Sequence, residues 1–163
     1  MREEIKKAID DASSRTVDLG RSQIRDSELQ EIAEYIIQVQ PNIFQIILDH
    51  NPITDNGAII LANALAPLVS VGKKLNLLSL CYTHVGEKGY TELCEKLVAL
   101  NPSFDLHLHA AKLNDPNSAF DIHQAAIKKF HENQAKKKAE SHRPSTPPDE
   151  PTPPSSSKRP RTK

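Results

Sequence analysis

One spacing constrains this chain more than any other feature. Ile43, Ile46, Leu48, Asn51 and Ile53 follow the frame L-x-x-L-x-L-x-x-N-x-L, and Leu75, Leu78, Leu80, Thr83 and Val85 follow it again. Weaker copies flank them at Val17, Leu19, Ser22 and Ile24 and at Leu106, Leu108, Ala111 and Leu113, with Ser14 and Ser103 in the first slots. Leu19, Leu48, Leu80 and Leu108 are 29, 32 and 28 residues apart, and Ser70-Val71-Gly72 stands where the longer spacing accommodates a loop insertion. Within each frame the apolar positions recur with a period of two, as in a strand with one buried face. Beyond each frame the period lengthens. Ile32 and Ile36, Leu61 and Leu65, and Leu93 and Leu97 are four apart, which puts each pair on one helical face. Asp26 and Asp55 are placed to cap these helices by accepting N–H bonds, and Glu87 holds the equivalent place in the third unit. Each unit is therefore predicted as a short strand, a turn and a helix of about three turns. Alone, such a unit cannot bury both apolar faces, so neighbouring units must stack.

These frames, with the helical segment TDNGAIILANAL at 54–65, resemble leucine-rich repeats of the long, ribonuclease-inhibitor-like subfamily. The resemblance covers roughly residues 14–127, strong in two units and degraded in two. It implies an α/β fold, a short leucine-rich-repeat solenoid with parallel strands on a concave face and helices on a convex face. The family's turn asparagine survives only at Asn51; Ser22 and Thr83 are weaker substitutes, and Ala111 cannot serve. Four segments are expected: a capping helix at 1–13, about four repeats at 14–118, a second capping helix at 119–140, and a disordered tail at 141–163. Ile5, Ala8, Ile9 and Ala12 fall on one face of the first cap, and Phe120, Ile127 and Phe130 lie close to one face of the second.

The balance of 21 basic and 21 acidic residues hides a split. Residues 1–127 carry 11 Lys and Arg against 17 Asp and Glu, while residues 128–163 carry 10 against 4. An acidic body argues against wrapping nucleic acid and favours a partner with a basic or mixed surface. No apolar run reaches the roughly 20 residues of a membrane span, and the opening MREEIKKAIDDASSR has no apolar core of a secretory leader. Two cysteines make no disulfide framework, as suits a reducing compartment. Seven of the twelve prolines fall in the last 25 residues, which lack apolar side chains beyond Ala139, so nothing offsets the entropy of ordering them.

In this repeat the strand residues between the leucines face outward, which gives three lanes. Asp18, Ile47, Ser79 and His107 form the first; Gly20, Asp49, Cys81 and His109 the second; Arg21, His50, Tyr82 and Ala110 the third. The expected protein-binding residues are Asp49, His50, Ser79, Cys81, Tyr82, His107 and His109. The same residue types invite a competing reading, a metal- or thiol-dependent enzyme using His50, Cys81, His107 and His109. Repeat stacking, however, lines ligands up in a row instead of a tetrahedron, and an open four-strand face offers little enclosure. No phosphate loop, nucleophile elbow or zinc-protease motif occurs, and no cofactor is expected. Cys94 falls at the helix position of Ala33 and Ala62, a small core residue.

In the tail, Lys158, Arg159, Pro160 and Arg161 match a short nuclear-import signal, to be read by an import receptor. Thr146 and Thr152, each before a proline, are candidate phosphorylation sites. The expectation is a monomeric, non-enzymatic binding module located in the nucleus, with the cytoplasm as the alternative. Its source is open between a eukaryotic nuclear adaptor and a bacterial effector. Degenerate repeats and a polar tail resemble the leucine-rich-repeat effectors that intracellular bacteria such as Legionella inject into hosts, which favours the second.

Overall fold

The computed structural model describes residues 1–12, 15–69, 74–108 and 116–141. Helices and strands alternate: α1 Glu3–Asp10, β1 Thr16–Asp18, α2 Asp26–Val39, β2 Gln45–Ile47, α3 Asp55–Val69, β3 Leu77–Ser79, α4 Glu87–Leu93, β4 Asp105–His107 and α5 Pro116–Ser141. The strands form one parallel sheet in chain order, β1-β2-β3-β4. Its register sets Val17, Ile46, Leu78 and Leu106 side by side. Each helix packs on the next, α1 on α2 through to α4 on α5. The fold is mixed α/β.

The frame explains where the core sits. Val17, Leu19 and Ile24 from the first unit, Ile43, Ile46, Leu48 and Ile53 from the second, and Leu75, Leu78, Leu80 and Val85 from the third are all buried. They meet Leu29, Ile32 and Ile36 of α2 and Leu61 and Leu65 of α3 in a single cluster. Each fully buried Leu or Ile contributes about 1.5–3 kcal/mol. In α1 the buried residues are Ile5 and Ile9; Ala8 faces outward.

The strands are shorter than the lanes require. Each ends after three residues, although the ladder continues one step further, with the amides of Leu19, Leu48 and Leu80 donating to Ile47 O, Ser79 O and His107 O at 2.8–2.9 Å. The chain then turns through Arg21, His50 and Tyr82, whose φ angles of 57°, 56° and 56° are left-handed. The described residues of lanes two and three, Gly20, Asp49, Cys81, Arg21, His50 and Tyr82, thus belong to a turn. Asn51 fixes it: Oδ1 accepts the Ile24 amide at 2.9 Å, and Nδ2 donates to Leu19 O and Leu48 O at 2.9 and 2.8 Å. At Thr83 the hydroxyl reproduces one of these bonds, to Leu80 O at 2.7 Å, while Ser22 reaches only Gly20 O at 3.4 Å.

The aspartates at the helix starts do not cap their own helices. Asp26 Oδ1 accepts the amide of Thr54 in the next unit at 2.9 Å, and Oδ2 accepts its hydroxyl. Asp55 Oδ1 accepts the amides of Gly86 and Gly89 at 2.6 and 2.9 Å. As first residues of their helices, both point their carboxylates sideways to the N-terminus of the adjacent helix.

Two more helical expectations need correction. The helix of the third repeat, α4, does not stay α; it passes into a π turn over Cys94–Val98, closed by the Ala99 amide on Cys94 O at 3.0 Å. This segment is packed against both α3 and α5. The wider turn lets Leu97, Val98 and Ala99, three successive residues, all be buried. The last helix buries Ala126 and packs Ala119, Ile122 and Ile127 on the core, which leaves Phe120 just off that stripe and 65% exposed.

Candidate functional site

Ile47 of β2 and Leu77 of β3 are half-buried, and Asp18, Asp105 and His107 are exposed around them on the sheet's outer side. His107 Nε2 lies 3.0 Å from Asp105 Oδ1 on the edge strand β4. Ser79, expected as an outward contact, is instead 5% exposed. Its short side chain sits between Ile47 and His107 in the register, and its hydroxyl donates to Asp49 Oδ1 at 2.6 Å. Ser79 therefore supports the site from beneath.

Asp49 Oδ1 also accepts the Cys81 amide at 2.8 Å, which joins the second and third turns. Neighbouring residues of the turn come together most closely: the His50 and Tyr82 rings stack with centroids 4.4 Å apart and planes 9° from parallel. The spacing follows from the backbone. The His50 amide donates to Cys81 O at 2.9 Å, so both rings leave equivalent turn positions separated by roughly the 4.8 Å between strands. Tyr82 stays 52% exposed. Beside this pair a hollow of about 250 Å³ is lined by Asp18, Gly20, Arg21, Ile47, Asp49 and His50. Asp18 and Arg21 were not among the expected binding residues. The signal for Arg21 was present, since it holds the repeat position of His50 and Tyr82.

His107 is on β4, one strand beyond Ser79, and His109 lies outside the described residues. So do Ser14, Ser70-Val71-Gly72, Ala110, Ala111, Leu113, and the tail with Thr146, Thr152, Lys158, Arg159, Pro160 and Arg161. Among the described residues, no three His, Cys, Asp or Glu side chains gather as metal ligands. Neither Cys81 nor Cys94 is in a disulfide. Burial pushes the Cys94 thiol up to about 12 against a smaller opposing effect of its bond to Tyr90, which keeps it protonated and unreactive.

These units define a class: strand, turn and helix repeated along one parallel sheet. The solved structure of Leiomodin-1 Actin-Binding Site 2 (ABS2) shares this fold, with a TM-score of 0.55 and 14% sequence identity. The match covers 85% of this chain and 94% of that one. No protein-family model matches the sequence, and no curated protein does. Among the described residues, no helix is long and apolar enough to cross a membrane.

Proposed function

We propose that the chain is a short leucine-rich-repeat solenoid acting as a non-enzymatic protein-binding module. The partner sits on the outer side of the sheet and the turn beside it, against Asp49, His50, Cys81, Tyr82 and His107. The observation that carries this reading is the exposed His50–Tyr82 stack. Two stacked rings leaving neighbouring turn positions offer a preorganised aromatic surface with polar edges that loses little entropy on binding, and tyrosine is among the residues that dominate the energetics of interfaces. Asp18 and Asp49 at its edge favour a partner with a basic or mixed surface. The leiomodin structure of the same fold is an actin-binding site, which supports a surface of this architecture serving another protein. The tail, in this reading, directs the module to the nucleus through Lys158–Arg161, a host nucleus if the chain is a bacterial effector.

The test is affinity capture from nuclear extract with the wild-type chain and with Tyr82→Ala, Asp49→Lys and Glu95→Lys. A partner retained by wild type and by Glu95→Lys, and lost from Tyr82→Ala by about 2 kcal/mol in a follow-up titration, is the expected outcome. Binding lost only in Glu95→Lys, on the helical side, moves the site elsewhere.

A further inference from the structure

A second surface lies away from the sheet, where α5 passes the end of the π turn. Ala99 and Leu100 face Phe130, Asn133, Gln134, Lys136 and Lys137 across a groove of about 260 Å³. Leu100 is 39% exposed, one of four large apolar side chains so open among the described residues. From His131 to Lys138, α5 is exposed at every position, so the side of the groove that this part of the helix forms is open to solvent. Residues 128–141 carry five lysines against two glutamates, in contrast to the acidic body. Lys129 pairs with Glu95 at 3.6 Å, whereas Lys136 and Lys137 make no ion pair among the described residues.

We infer that this groove binds an acidic amphipathic segment of a protein partner, with apolar side chains seated on Leu100 and Phe130 and carboxylates against Lys136 and Lys137. Charge complementarity fixes the sign of the occupant, and the apolar floor requires that it bring apolar side chains as well. The chain's own residues 142–163 do not meet this description. They contain no Leu, Ile, Val, Met or aromatic residue, and carry five basic against two acidic side chains. A nucleic acid would match the charge and leave Leu100 uncovered. This surface is independent of the sheet face.

The experiment is fluorescence anisotropy of the full chain with a labelled synthetic peptide of roughly four helical turns, leucines at i, i+3, i+4 and i+7 and glutamates elsewhere. Saturable binding is expected. Leu100→Ser should weaken it about tenfold, as should Lys136→Glu with Lys137→Glu, and replacing the peptide's glutamates by glutamines. Tyr82→Ala should leave it unchanged. All these substitutions are at exposed positions, and a circular dichroism melt verifies that each variant folds. Affinity retained in Leu100→Ser, or by the glutamine peptide, overturns the assignment. A DNA duplex that binds more tightly than the peptide, is lost in the lysine variant and is kept in Leu100→Ser makes the patch a nucleic-acid contact. A gain of about tenfold on Asp149→Lys with Glu150→Lys would show the chain's own C-terminal segment in the groove and overturn it too.

Discussion

Asn51 concentrates more of the turn in one side chain than any other residue. It is 1% exposed, receives the Ile24 amide, and serves the carbonyls of Leu19 and Leu48 from two successive units. Asn51→Ala strands a buried N–H and two buried carbonyls at once. At about 1–3 kcal/mol for a buried group left unpaired, with partial relief by relaxation, the expected loss is about 2–4 kcal/mol in urea unfolding. Thr83→Ala, which removes a single bond to Leu80 O, should cost about 1 kcal/mol in the same experiment. The role of Asn51 was legible through the resemblance, whose turn asparagine it keeps, and its chemistry suits the place, because an amide both donates and accepts. Ser79 was not legible in the same way. Position in the alternation says which side of the sheet a residue faces; its exposure depends on the size of Ile47 and His107 beside it and on the reach of Asp49.

At the scale of elements, the helices were legible from four-residue spacing and their junctions were not. Aspartate before an apolar helix reads as a cap for that helix, yet Asp26 and Asp55 serve the next helix along, because parallel helices one unit apart present their N-termini at the same level. Two glycines, Gly57 against Asp26 and Gly89 against Asp55, make that approach possible. A Cβ on Gly89 would stand 2.9 Å from both Asp55 Cα and Ala58 Cβ, closer than such atoms can approach. Alanine improves helix propensity by about 1 kcal/mol, but here α3 and α4 must separate to admit it. Gly89→Ala should therefore lower stability by about 1–3 kcal/mol, read as a fall in melting temperature, despite the favourable propensity. The π turn had no sequence signal, since Leu93 and Leu97 satisfy ordinary helical spacing; being covered from both sides by α3 and α5 is a tertiary fact.

For the whole molecule, the repeat period was enough to settle the sheet. Strands that recur at about thirty residues with a helix between them can pair side by side only in parallel. Charge is also distributed at this scale, acidic through residue 127 and basic beyond it. The import reading of the tail belongs here, because it requires the basic end to stay clear of the acidic body. A large fluorescent cargo fused to residues 141–163 should accumulate in the nucleus of a eukaryotic cell, and Lys158→Ala with Arg159→Ala should return it to the cytoplasm. Nuclear retention of the double variant, imaged in the same cells, would reduce the cluster to a solvated basic end.

The left-handed row at Arg21, His50 and Tyr82 bears on how such a chain can change over time. An L-residue held there costs about 1–2 kcal/mol in local backbone energy relative to glycine, so on backbone conformation alone this chain would carry glycine at all three. It has an arginine, an imidazole and a phenol instead. The backbone bonds that impose this conformation, such as Arg21 N–H to Asp49 O and His50 N–H to Cys81 O, do not depend on which side chain is present. Exchanging one ordinary side chain for another along the row alters the chemistry that the surface presents and leaves the strain of folding nearly constant. In the binding role proposed above, specificity there can drift from partner to partner while the scaffold beneath it stays the same.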